Sequence, residues 1–188
     1  MTRMSSSLSI EELAEQALAL HQNGQFEDAC KVYDKLLVDS PDNAELLYLR
    51  GALATQMGNH HYALELLNKA AEGAPHIADI PYNIGIVLTE LGRFGEAEQV
   101  YRQAITIKAD FADAYNNLGY VLQCSNQLEG AAEAYRHALA IDESYVAVRT
   151  NLALLLKQCG DYDGAASEFK IALTIDPHNK SLQQDLQS

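Results

Sequence analysis

Basic residues are in short supply. Thirteen lysines and arginines stand against 26 aspartates and glutamates, a formal net charge of −13. A surface of that sign is wrong for tracking nucleic-acid phosphates and for lying on an anionic membrane. Proline is also scarce, with four in 188 residues, and strand-type runs are lacking, so helices are the expected elements. No run approaches the roughly 18 consecutive apolar residues of a membrane span. Met1 to Ser7 lead into a charged helical pattern without an apolar signal core. The three cysteines, Cys30, Cys124 and Cys159, are an odd number without CxxC spacing, which fits a reducing compartment better than a disulfide framework. These absences point to a cytoplasmic chain whose partners are neutral or basic.

Catalytic constellations are equally thin. There is no glycine-rich phosphate loop, no GxSxG and no HExxH. His60 and His61 form the one histidine pair, but adjacent residues diverge on a helix and do not readily share a metal. His60 reads as a core or half-buried side chain. Cys124 and Cys159 lack the two further ligands of a metal site and read as small buried side chains. No catalytic residue, metal or cofactor is expected, and the chain is read as a non-enzyme.

What is present is a period. Shifting the sequence by 34 brings like residues into register without insertion over 10–43, 44–77, 78–111, 112–145 and 146–179. Position eight holds Ala17, Gly51, Gly85, Gly119 and Ala153; position twenty holds alanine in all five copies. Small residues there let two helices approach closely. Position fifteen holds Gly24, Gly58, Gly92, Asn126 and Gly160, residues that accept the left-handed conformation ending a helix. Large residues at seventeen and twenty-four, such as Phe94 and Tyr135, line the apolar face of a second helix. Pro41, Pro75 and Pro177 at position thirty-two stop that helix. Ser9 with Glu12, Asp42 with Glu45, and Asp110 with Asp113 have capping-box spacing.

These residues closely match the tetratricopeptide repeat pattern, and the resemblance covers residues 10–179. It implies an all-α, right-handed superhelical α-solenoid of five helix–turn–helix repeats. Residues 1–9 would be a flexible lead. Residues 180–188, with Leu182 and Leu186 on one side, would be a partial capping helix or a truncated one. Three departures stand out. Pro81 occupies a position usually large, which a first helical turn tolerates. Ala109 and Glu143 replace the terminal proline, leaving two joints to packing alone. Arg50 occupies a normally apolar position, which puts local packing there in question.

The resemblance assigns positions two, five, six, nine, twelve and thirteen of each first helix to a concave groove. Position six reads Glu15, Leu49, Asn83, Asn117 and Asn151. Asparagine is a poor helix former, and its carboxamide pairs with both N–H and C=O of an extended peptide. With helices about 8–10 Å apart and a strand rising about 3.3 Å per residue, one rung meets roughly every third peptide residue. The row resembles the asparagine ladder in the tetratricopeptide arm of O-GlcNAc transferase-type proteins. The competing reading is that each asparagine bonds only to the next helix. Position two carries Glu11, Glu45, Asp79 and Asp113, either attracting basic side chains or serving the first turn. Tyr48, Tyr82, Ile86, Tyr120 and Leu154 are apolar groove positions that anchor ligand side chains or fill gaps, and the polar Asn116 stands on the groove at position five. Lys157 is the lone obvious groove cation, so an acidic C-terminal tail is a poor ligand.

The function expected is a scaffold that binds an extended segment of a partner protein. An alternative is the substrate-recruiting arm of a larger, glycosyltransferase-like enzyme whose catalytic domain lies beyond Ser188. Self-assembly through the groove is a third reading.

Overall fold

The computed structural model describes residues 10–187, all-α and without a strand among them. The described residues divide into two compact units, one running to Val87 and one starting at Leu88. The first holds α1 (Ile10–Gln22), α2 (Phe26–Asp39), α3 (Ala44–Gln56) and α4 (His60–Gly73), and most of α5 (Asp79–Glu90). The second holds α6 (Phe94–Ile107), α7 (Ala112–Cys124), α8 (Leu128–Ile141), α9 (Val146–Gln158), α10 (Tyr162–Ile175) and α11 (Lys180–Gln187). The lead segment 1–9 and the Ser9 cap lie outside the described residues, as does the side chain of Leu186. Among the described residues no helix is long and apolar enough to cross a membrane.

The tight turns follow from position fifteen. Gly24, Gly58, Gly92 and Gly160 have φ between 70° and 83°, and Asn126 has φ 59°. The left-handed residue lets the next amide reach back, as in Gln25 N–H to Leu20 O at 2.9 Å and Gln127 N–H to Leu122 O at 2.8 Å. The position-seventeen residues Phe26, His60, Phe94, Leu128 and Tyr162 then each open a second helix. A Cβ at Gly160 would meet nothing within 4 Å, so substitution there tests backbone strain alone. Gly160→Ala is expected to cost about 1 kcal/mol in urea unfolding. Gly160→Asn should cost less, because Asn126 already holds that conformation.

Within α1/α2, α3/α4, α7/α8 and α9/α10 the small–large contact is realised. A Cβ on Gly51 would stand 2.8 Å from Leu67 Cγ, and one on Gly119 would stand 2.7 Å from Tyr135 Cε1. Ala17 packs in one cluster with Tyr33, and Ala153 in another with Phe169. The position-twenty alanines Ala29, Ala63, Ala97, Ala131 and Ala165 are all buried. The core therefore runs as a seam between paired helices.

Joints between pairs correct several expectations. α2, α4 and α10 end two residues before Pro41, Pro75 and Pro177, as expected. α6 and α8 end at the equivalent place without proline, and not by packing alone. Lys108 holds its ammonium 4.8 Å over the ring of buried Phe111. The Asp142 carboxylate accepts from the amide and hydroxyl of Ser144, which hold it below the usual carboxylate range, and Arg149 Nη2 donates to Glu143 O at 2.8 Å. Arg50 is accommodated rather than disruptive: it is buried and its Nε donates to Asp34 Oδ1 at 2.7 Å.

The capping-box positions are also corrected. α3 is capped by Asn43, whose side chain accepts from Leu46 N–H at 3.1 Å, because the helix starts one residue later than an Asp42 cap requires. α7 has Phe111 at its N-cap and no side-chain cap bond, so Asp110 does not cap it. Pro81 is buried inside a continuous first turn of α5, where its missing amide is no loss. Leu182 of α11 is buried against Ala153, Phe169 and Ala172.

Candidate functional site

First-helix residues one turn apart share a face, so Asn83 with Ile86, Asn117 with Tyr120, and Asn151 with Leu154 form three local sets. The three asparagines are half-buried. Tyr120 and Leu154 are 48% and 43% exposed, large apolar surface left in water.

In the first unit, Asn83 commits its amide nitrogen. Nδ2 donates to its own helix at Asp79 O, 2.8 Å, and to Tyr48 Oη on α3, 3.4 Å. Both N–H groups are thereby used, and Oδ1 is left to accept. Burial pushes the Tyr48 hydroxyl above its ordinary value; the nearby Asp79 carboxylate adds to this and the Asn83 bond opposes it. Tyr48, Asp79 and Asn83 are thus brought together. Tyr82 and Ile86 are half-buried on α5, while Glu45 is exposed in the first turn of α3.

The second unit repeats the relation. Asn151 Nδ2 on α9 donates to Asn116 Oδ1 on α7 at 3.0 Å, and Asn116 Nδ2 donates to Asn117 Oδ1 at 3.2 Å. Tyr48–Asn83 and Asn116–Asn151 are both pairs 35 residues apart, position five of one repeat clasping position six of the next. The helix-to-helix bond that competes with ligand contact is therefore present at Asn83 and Asn151. It turns each amide nitrogen toward the preceding helix. Asp113 does not act as a cap partner; its carboxylate accepts from Tyr145 Oη at 2.5 Å. Tyr120 is exposed, and its hydroxyl is raised by its hydrogen bond with Cys124 and by that residue's charge.

Sequence reasoning missed a second row of clasps. His21 Nε2 lies 3.2 Å from Gln56 Oε1, and Gln123 Nε2 donates to Gln158 Oε1 at 2.9 Å, again 35 residues apart. These fall at positions twelve and thirteen, which the resemblance already placed on the groove, so reading those columns would have found them. Beside the first clasp lies a cleft of about 390 Å³ in the first unit, walled in part by Leu18, Phe26, Tyr48 and Leu49. His60 is half-buried, as expected. Cys124 and Cys159 are corrected: both are exposed, because they sit where α7 and α9 run out into their turns.

Comparisons with known proteins follow this architecture. Family models described as TPR repeat match residues 17–58 and 85–123, and models of the tetratricopeptide repeat match 112–145 and 146–179, more than half of the chain together. A crystal structure of MamA superposes with a TM-score of 0.81 at 25% identity, covering 88% of this chain and 96% of that one. The MamA 41-end structure from Desulfovibrio magneticus RS-1 gives 0.80 at 20% identity, with 92% and 99% covered. YrrB, described as a TPR protein with an unusual peptide-binding site, gives 0.78 at 18% identity, with 96% and 93% covered. These likenesses speak to the fold. No curated protein matches the sequence.

Proposed function

We propose, because the chain belongs to the tetratricopeptide repeat family, that it is a non-catalytic cytoplasmic scaffold holding an extended segment of a partner protein along the groove face of its first helices. A protein-interaction role is what the repeat scaffold supports. The observation that carries the groove reading is the pairing of half-buried amides with apolar side chains one turn on, exposed in the case of Tyr120 and Leu154. With Asn83 and Asn151 turning Nδ2 to a neighbouring helix, Oδ1 is the atom that meets a ligand. In each unit such an acceptor suits the N–H groups of a peptide backbone, whatever its sequence. Tyr48, Tyr82, Ile86, Tyr120 and Leu154 then contact its side chains. Glu45, Asp79 and Asp113, in a chain of net charge −13, favour a neutral or basic segment.

A partner segment captured with the full chain supplies the test. Replacing Asn83, Asn117 and Asn151 by alanine together is expected to weaken its binding about tenfold, on the order of 0.5 kcal/mol per lost bond. Fluorescence anisotropy reads the change, and circular dichroism confirms that the variant is folded. Affinity equal to that of the unaltered protein would remove the groove reading.

A further inference from the structure

The α1/α3 joint is built differently from its counterparts. At α3/α5 and α7/α9, positions five and six clasp through hydrogen bonds, Tyr48 with Asn83 and Asn116 with Asn151. The equivalent pair at α1/α3 is Ala14 and Leu49, small and apolar, both packed against the core of their unit. With no hydrogen bond between positions five and six there, the 390 Å³ cleft lies beside the pair, with the His21–Gln56 clasp in its wall. That volume lies within the range of ligand pockets, about 300–1,000 Å³.

Its lining carries no lysine, arginine, aspartate or glutamate. Of the polar groups in its wall, His21 pairs with Gln56 and its imidazole meets the Phe26 ring edge-on at 6.0 Å, Tyr48 accepts from Asn83, and Gln22 is exposed. The rest of the wall is mostly apolar, with Leu18 at 37% exposure and Leu49 and Ala52 half-buried. Covering that surface is favourable. The rim has the opposite character. Glu15 stands one turn before Leu18 on α1, and Glu45 one turn before Leu49 on α3, both exposed. α1 holds no lysine or arginine, and the sole one on α3, Arg50, is buried against Asp34. A mostly apolar cleft with exposed carboxylates one turn away on both helices selects its occupant by both size and charge.

We infer that the cleft between α1 and α3 is a subsite for one bulky aliphatic or aromatic side chain, flanked by lysine or arginine, in the partner's extended segment. The inference rests on the groove reading and adds to it the side-chain preference of one subsite. Burying a leucine in place of an asparagine there is worth about tenfold in affinity.

The test uses the full chain and three fluorescein-labelled nonapeptides in a Gly/Ser frame, with centres Lys-Leu-Lys, Lys-Asn-Lys and Glu-Leu-Glu. Lys-Leu-Lys is expected to bind about tenfold tighter than either of the others. Leu18→Gln and Ala52→Phe, the second of which fills the cleft, should each reduce the preference for Lys-Leu-Lys over Lys-Asn-Lys, measured on the same variant, from about tenfold to none. Leu18 is exposed, so its variant tests the cleft even if Ala52→Phe does not fold. Equal affinities for the two lysine peptides, or a leucine preference that survives Leu18→Gln, would overturn the subsite. If the peptides bind alike and the triple asparagine variant weakens them all, the groove stands and only the subsite falls. If none binds, both fall. A dimer that Leu18→Gln dissociates in sedimentation would assign the cleft to a second copy and overturn the proposal.

Discussion

Replacing Tyr135 by alanine is expected to lower the unfolding free energy by about 3–5 kcal/mol. The ring is 0% exposed and lies against Gly119 so closely that a Cβ there would stand 2.7 Å from Cε1. Glycine has no side chain to swing into the vacated space, so the cavity persists and its cost is not relieved by repacking from that side. The neighbours Ala131 and Ala138 on α8 are buried alanines, equally unable to fill it. The hydroxyl is a smaller part of the effect. It donates to Gln123 Oε1 at 3.2 Å, and burial, the leading cause, pushes it far above the ordinary tyrosine range, so it is neutral at any working pH. Tyr135→Phe should therefore cost about 1 kcal/mol. It also frees Gln123, which bonds Gln158, to reorient. Urea unfolding followed by circular dichroism separates the two variants. A loss below about 1 kcal/mol for Tyr135→Ala would mean that α7 and α8 are not packed around this ring.

What could be read from the sequence is what depends on one residue or on the period. A φ near +70° is a demand of one residue on itself, and Gly24, Gly58, Gly92 and Gly160 announce it directly. The pairing of Gly119 with Tyr135 or Gly51 with Leu67 is written in columns eight and twenty-four of a repeat with no insertions. Features that depend on a helix start to one residue were misread. Asp42 and Asn43 are both good caps, and the backbone decides between them. Arg50 looked like a packing fault because its compensating partner, Asp34, lies on another helix, in a column that holds no other acidic residue.

The candidate site was legible as a set of columns and not as a set of partners. Columns five and six yield Tyr48, Asn83, Asn116 and Asn151, but not that residues 35 apart clasp one another. That relation needs the spacing and relative rotation of two first helices, which no single repeat contains. The α1/α3 cleft is invisible for the same reason: it lies where Ala14 and Leu49 do not make the clasp their counterparts make.

Asp34→Ala gives the second large effect, an expected loss of about 2–3 kcal/mol. The Arg50 side chain is 9% exposed, and Asp34, itself 51% exposed, accepts from both Nε and Nη2. Nη1 is buried and makes no hydrogen bond, so removing Asp34 leaves a guanidinium with almost nothing to balance its desolvation. The Tyr62 ring, with its centroid 5.0 Å from the guanidinium carbon, offers only partial compensation. Arg50→Leu should behave oppositely. It restores the apolar type its column normally holds, and replacing a buried ion by a hydrophobic residue is expected to be neutral or stabilising by about 1 kcal/mol. In the Arg50→Leu background, Asp34→Ala should then cost almost nothing, a coupling of about 2 kcal/mol in a double-mutant cycle read by urea unfolding. An Asp34→Ala cost that is the same in both backgrounds would show that Asp34 does not hold Arg50, and that the α2–α3 joint is secured by its apolar packing instead.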